Sequence, residues 1–346
     1  MTELRSRRPL LVILAAAVIA IIVGSFVPPV IINSMKPLST DYVGGYSTAP
    51  APTLLADIAA LRAGQVPADR ADDPACGAED PDFSCFVSAT TSRLERDTAT
   101  APVAETSREA WVEVGTRLLS EGSEPLLEID DRVRVTRRST YPVAQPASHM
   151  TLTLPRVDSE IDTGEFVRSG LQYFFPFAVE RRSYDHFDPL TQRADPIDFV
   201  GELPRNGLDT YQFHHRLSGL PLAGLFDALH STRRQEQAHY AVDRTVWVEP
   251  RSGVIVDSVE EFHVYLAADE QQARQRADRP DTGHTIYHAT LSWDEETRSA
   301  QHDLAAPLVS RLRGLQVLAT LSKTLGIVLL ITAAVLVVRR RGVEAP

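Results

Sequence analysis

The sequence is short of the residues from which inorganic and nucleotide sites are built. Among 346 residues only Cys76 and Cys85 are cysteines, which excludes a disulfide-dense mini-domain and a cysteine-built zinc or iron–sulfur centre. Catalytic signatures are missing as well. There is no H-E-x-x-H pair, no Walker-type loop and no G-x-G-x-x-G loop, so neither a helical zinc site nor a phosphate cradle has support. Ser169-Gly170 stands between Val167 and Leu171, where a nucleophile elbow needs glycines. Net positive charge is absent too. Residues 1–8 and 339–346 each hold three arginines against one glutamate, so the ends carry +4 of the formal −11 and leave −15 for the rest. An acidic body argues against a nucleic-acid partner.

The ten histidines do not make a metal set by their spacing. His214 and His215 are adjacent, and on a strand they point to opposite faces. His284 and His288 fall in a strand-like stretch, where four residues span roughly 13 Å. No metal and no cofactor is expected. The densest polar–aromatic cluster is Tyr184-Asp185-His186-Phe187-Asp188-Pro189. If the chain is an enzyme, Asp185, His186 and Asp188 are the first residues to consider for acid–base work. A strand end that packs its aromatics and an Asp-Pro that opens a turn account for the same pattern, so no catalytic residue is assigned. The acidic pairs Asp130-Asp131, Glu260-Glu261 and Glu295-Glu296 read as solvated faces.

What the sequence does have is two long apolar runs. Residues 10–27 carry no charge and as a helix cover roughly 27 Å, close to the hydrocarbon thickness of a bilayer. Arg5, Arg7 and Arg8 precede the run and hold the N-terminus in the cytoplasm. A cleaved signal would have a shorter apolar core and a small-x-small site; Pro28-Pro29-Val30-Ile31-Ile32 follows instead. Residues 320–338 form the second run, closed by Arg339-Arg340-Arg341, with Lys323 near the outer end where its stem can snorkel. Both ends therefore read as cytoplasmic, as two spans require. The organisation that follows is 1–9 cytoplasmic, 10–27 transmembrane, 28–319 extracytoplasmic, 320–338 transmembrane and 339–346 cytoplasmic, a two-pass protein of the plasma membrane.

In that outer portion a bridge between Cys76 and Cys85 is expected, pinning a polar loop. Residues 53–63 read as a helix, with Leu54, Leu55, Ile58 and Leu61 at helical spacing and Gly64 as its cap. Residues 67–81 read as an acidic, Pro-rich loop, and 98–104 is an Ala/Pro stretch. From Ala110 onward the period is two: Trp111 to Thr116, Arg132 to Thr136 and Thr151 to Leu154 alternate as half-buried strands do. Asn206-Gly207, Pro250-Arg251-Ser252-Gly253 and Asp281-Thr282-Gly283 mark tight connections, which make their strands antiparallel. The expected class is α+β, mainly β: a large antiparallel sheet or barrel-like domain with edge helices, flanked by the two membrane helices. Residues 217–229 break the pattern, with Leu217, Leu220, Leu222, Leu225, Phe226 and Leu229 around a single charge. They are too few to span a bilayer. They either cover the sheet as core or present an apolar, lipid-contacting lid.

The stretches Leu171-Gln172-Tyr173-Phe174-Phe175-Pro176-Phe177, Tyr184 through Pro189, Phe199-Val200-Gly201-Glu202, and above all Trp247-Val248-Glu249-Pro250-Arg251-Ser252-Gly253-Val254-Ile255-Val256 resemble an actinobacterial domain-of-unknown-function family that carries the label porin PorA. The resemblance covers nearly the whole chain, and the near absence of lysine beside abundant arginine suits such a source. It implies the same two-anchor layout and brings no catalytic residues. Two helices cannot enclose an aqueous pore alone; a ring of subunits would be needed. The layout is also similar in topology to class B scavenger receptors, whose β-rich domain carries lipid. The expected function is that of an envelope protein that binds or transfers a lipid or glycolipid, or supports envelope assembly. The alternatives are a membrane-anchored enzyme acting on envelope polymers and a porin-like oligomer.

Overall fold

The computed structural model describes residues 2–35, 37–222 and 236–343. In chain order the elements are helix α1 (Thr2–Met35), strands β1 (Val43–Ser47) and β2 (Ala51–Ala56), helix α2 (Ile58–Ala63), and strands β3 (Val87–Val103), β4 (Thr106–Ser120), β5 (Pro125–Thr136), β6 (Ser148–Leu154) and β7 (Ser159–Asp162). There follow β8 (Tyr184–Asp188), β9 (Arg193–Glu202), β10 (Tyr211–Pro221), β11 (Gln237–Val248) and β12 (Ile255–Ala267), helix α3 (Glu270–Arg276), strand β13 (Thr285–Ser292) and helix α4 (Glu295–Val343). Two compact units result: Met1–Pro37 with Ala306–Pro346, and Leu38–Ala305.

The first unit is helical, and both of its helices are long and apolar enough to cross a membrane. Small residues set their packing. A Cβ on Gly24 would meet the Ala319 carbonyl oxygen at 2.8 Å, and one on Gly326 would meet Ile21 Cγ1 at 2.5 Å. Ala17 and Ala333 are buried beside them. Helices in lipid gain little from hydrophobicity against each other, so close backbone approach is what holds such a pair.

The second unit is one curled antiparallel sheet in the order β7-β6-β5-β4-β3-β2-β13-β12-β11-β10-β9-β8, with β1 on β3. Period-two patterning builds its two faces. On the inner face Leu94, Leu118, Ile129, Met150, Leu152, Tyr240, Val242 and Val264 form the main core. Each such buried side chain contributes about 1.5–3 kcal/mol by leaving water. A second cluster of Leu171, Phe175, Tyr184, Phe213, Val246 and Val248 fills the β8–β11 end. The outer face of β3–β5 is charged instead: Arg93 pairs with Glu95 at 3.0 Å, Arg117 with Asp97 at 3.3 Å, and Arg132 with Glu113 at 3.3 Å. Helix α3 covers another part of the outer face, where Tyr265 donates its hydroxyl to the Ala273 carbonyl at 2.6 Å.

Local chemistry explains the connections. Asn206 (φ 49°) and Gly207 (φ 77°) both occupy the left-handed region, the geometry that a tight two-residue hairpin demands and that asparagine and glycine tolerate. The expected helix over residues 53–63 is corrected. Residues 51–56 are strand β2, paired with β3 and β13, and the helix starts at Ile58, capped by Asp57, whose carboxylate accepts from the Ala60 N–H at 2.9 Å. Strand pairing on both sides outweighed helical spacing. The Ala/Pro stretch is also strand, the end of β3. Cys76 and Cys85 form a disulfide that packs with Phe86 against Ala60, Leu61 and Val66.

Residues 163–183 do not follow the sheet. They run across its inner face, where Phe166 bridges Ser148 of β6 and Leu171 bridges His186 of β8 in parallel. Arg168 fastens this strap to Asp131 of β5, and Tyr173 donates its hydroxyl to the same carboxylate. One member of each of two acidic pairs expected on solvated faces is thereby corrected: Asp131 is buried against the strap, and Glu260 is paired inside the sheet with Arg244. Adjacent strand residues alternate, so only Asp130 and Glu261 point outward.

Candidate functional site

Strand β8 carries Tyr184, Asp185, His186, Phe187 and Asp188 into the sheet edge. Asp185 is exposed, whereas His186 and Asp188 are buried. The three first candidates for acid–base chemistry therefore do not converge; two of them do. Asp188 opens the following turn, accepting from the Leu190 and Thr191 N–H groups at 3.0 and 3.1 Å. Its other oxygen accepts from the Tyr240 hydroxyl at 3.2 Å and lies 3.6 Å from Arg244 Nη2.

Arg244, on β11, is the hub of this cluster. Its Nε donates to Glu260 at 2.7 Å, and its Nη1 faces Nδ1 of His186 at 3.3 Å and of His215 at 3.4 Å. An arginine only donates, so both imidazoles present an unprotonated nitrogen to it. Burial and then the Arg244 charge push His186 well below the usual histidine range and His215 down to about 4. Burial pushes Asp188 up. Burial acts the same way on Glu260, but Arg244 and Arg96 outweigh it and hold that carboxyl below its ordinary value.

Above this polar floor lies a cavity of about 130 Å³. Its walls are mostly apolar, with Leu94, Leu118, Leu126, Ile129, Val264 and Ile286 among them, and Arg96, Arg156, Asp188, Arg244 and Glu260 are its ionic lining. A smaller space of about 40 Å³ shares Arg96, Arg244 and Glu260 and is bounded further by Gln172, His186, Ser258 and Trp293. A mostly apolar pocket with a few convergent polar groups is the usual form of a small-molecule site. It contains no electrophile-activating metal set; among the described residues no group of three histidine, cysteine, aspartate or glutamate side chains is placed to hold an ion.

Comparison with known proteins places this architecture. Residues 10–337 match the family model described as Porin PorA. The chain belongs to the Porin PorA family. One relative, named Porin PorA, from Corynebacterium resistens, is 27% identical over 408 aligned residues, taking in 97% of this chain and 97% of the relative. A second of the same name, from Corynebacterium amycolatum, is 28% identical over 346 aligned residues, with 85% and 88% covered.

In this PorA-family chain three of the six residues expected at a possible apolar contact can be placed. Leu217 and Leu222 are buried in the main core with Leu220 packed against it, and none of the three lines the cavity. Leu225, Phe226 and Leu229 lie outside the described residues. Two of the expected histidine placements can be read directly. His214 and His215 face opposite sides of β10, the first with Asp243 at 2.9 Å and the second buried beside Arg244. His288 turns outward to Glu261 at 3.0 Å. Sequence reasoning missed Arg96, Arg244 and Glu260. Their one available signal was a charged residue at the inward phase of an otherwise apolar alternation, as in Tyr240-x-Val242-x-Arg244-x-Val246.

Proposed function

We propose that this chain is a two-pass protein of the plasma membrane whose β-rich unit stands outside the cytoplasm and binds the acyl part of a lipid or glycolipid. The observation that carries the reading is the mostly apolar cavity inside the curled sheet, lined by few ionic groups, Arg96, Asp188, Arg244 and Glu260, with Arg156 nearer Glu124. An all-polar site would suit a sugar or an ion, and a solid core would suit a scaffold; an apolar chamber with a charged margin suits an amphiphile. The apolar helices and their arginine flanks support the anchoring and the orientation with both termini inside. Organic extraction of the purified full-length chain, followed by mass spectrometry, tests the reading. A defined acyl lipid retained at near-stoichiometric amount is expected; a chain free of lipid after mild purification contradicts it.

The relatives' printed name favours a second reading, a channel. The charged outer face of β3–β5, with its ladder of arginine–carboxylate pairs, is unsuited to hydrocarbon, where a membrane barrel carries an apolar band. A channel would therefore require the helices of several copies. Stepwise conductance of the full-length chain in a planar bilayer supports that reading, and silence at high protein density opposes it.

A further inference from the structure

One cation at the cavity stands apart from the rest. Arg244 is opposed by Glu260 at 2.7 Å and Asp188 at 3.6 Å. Arg96 makes no direct ion pair among the described residues and acts on Glu260, its neighbour in the lining, only at longer range. Its Nε donates to Thr116 at 2.9 Å, and its guanidinium sits 4.9 Å from the Tyr46 ring and 5.4 Å from the Tyr173 ring. Its two terminal nitrogens carry no hydrogen bond to a described residue. A guanidinium drawn half out of water is costly unless an anion or a ring face compensates it, and ring faces supply only part of that.

A second unsatisfied donor borders the same space. Trp293 is buried, packs on Tyr46 with ring centroids 4.9 Å apart, and its Nε1–H finds no acceptor among the described residues. Arg96 and Trp293 both line the 40 Å³ space. Two residues with unused donors, one of them cationic, thus line one small space, and Arg96 is common to it and the apolar cavity.

We infer that this chamber is a carboxylate site, and that the ligand is an acyl chain ending in a free carboxylate, with its head on Arg96 and Trp293 and its first methylenes in the apolar cavity. The inference rests on the lipid-binding reading and narrows it to one head group. Size decides between anions. The polar space holds about 40 Å³ beside an apolar cavity of about 130 Å³, which favours a compact two-oxygen head over a phosphodiester with its glycerol. Geometry agrees, because a guanidinium held through Nε still offers two parallel N–H groups to a planar two-oxygen acceptor. The apolar part holds about 130 Å³, close to the roughly 150 Å³ engineered cavity that takes up benzene. It therefore takes a short run of methylenes, and a longer chain must leave through the open side.

The test uses the full-length chain in phosphatidylcholine nanodiscs and decanoate carrying carbon-13 at the carboxyl. A distinct bound carboxyl resonance is expected, and methyl decanoate should compete about 10-fold or more less well, the loss that follows from removing a charge-assisted hydrogen bond. Arg96→Gln should abolish the preference for acid over ester while leaving ester binding within about twofold. Trp293→Phe removes the donor and keeps a six-membered ring beside Tyr46, so it should weaken the acid more than the ester, and retained ester binding in it and in the arginine variant excludes a folding defect. Equal binding of acid and ester in the wild-type chain overturns the carboxylate inference and leaves lipid binding standing. Binding of neither, with no displacement of co-purified lipid, overturns both.

Discussion

Arg168 closes on Asp131 through two parallel hydrogen bonds, Nη2 to Oδ1 at 2.6 Å and Nη1 to Oδ2 at 2.8 Å, with both side chains 1% exposed. The strap of residues 163–183 is pinned to the sheet at this point, and the guanidinium also lies 4.2 Å from the Phe187 ring. Removing one partner leaves a buried, uncompensated charge. Arg168→Met is expected to destabilise the chain by about 3–5 kcal/mol, a drop of about 10 °C in melting temperature for a unit of this size. The double variant Arg168→Met with Asp131→Leu should recover most of that loss, because the pair repays little beyond its own desolvation. Thermal unfolding by circular dichroism checks both; a single variant as stable as wild type would show that the strap is held elsewhere.

Three buried histidines, His186, His215 and His263, make the fold acid-sensitive. His263 donates Nδ1–H to the Ala277 carbonyl at 2.8 Å and accepts from the Thr285 hydroxyl at 3.0 Å. Burial pushes it down to about 4, and burial with the nearby Arg244 does the same to His215. Above about pH 6.5 folded and unfolded chains carry the same neutral rings, and the contribution to stability is complete. Below it the unfolded chain takes up protons that the fold refuses. Stability should fall by about 1.4 kcal/mol per pH unit for each ring until the pH reaches about 4. Melting temperature is expected to be flat from pH 7 to 8 and to decline between 6.5 and 4, with a shallower decline in His263→Gln.

The helix pair should be intolerant of bulk at Gly326, where an added Cβ would stand 2.9 Å from the Ala17 carbonyl oxygen. A diazirine-bearing side chain at Ser322, whose Cβ faces Gly24 across the pair, should cross-link efficiently to α1 in membranes. Adding Gly326→Leu should lower the cross-linked fraction severalfold, since small residues are what allow such approach. An unchanged yield would show that the helices pair through another face.

The Cys76–Cys85 bridge closes a ring of sequence separation 9 and is expected to contribute about 2–3 kcal/mol. Reduction should lower the melting temperature by about 5–10 °C and expose two thiols to maleimide that are unreactive beforehand. A melting temperature that ignores reductant would mean that the loop packing around Phe86 and Leu61 suffices by itself.

How much of this was legible in the sequence follows from the range of the interactions. The Asn206-Gly207 hairpin, the Gly64 cap and the alternating strands β4, β5 and β6 are written in neighbouring residues, where turn chemistry and period two act directly. Strand β2 was misread because Leu54, Leu55, Ile58 and Leu61 satisfy a helical period, while its pairing to β13 joins residues more than two hundred positions apart. The cavity margin was illegible for the same reason. Arg96, Arg244 and Trp293 come from three distant strands or their ends, and only the curl of the sheet brings them to one chamber. Asp188 was singled out both as an acid–base candidate and as a turn former; it opens the turn and also accepts from Tyr240.

The central claim is that an acyl chain occupies the interior of the sheet. Photo-cross-linking with a diazirine-bearing fatty acid on the full-length chain in membranes, followed by peptide mapping, tests it most directly. Label on β3, β4 and β11 peptides containing Leu94, Leu118 and Tyr240, lost when Leu118→Trp fills the space, is the result this account predicts. Label confined to α1 and α4, with the sheet peptides clean, would contradict it.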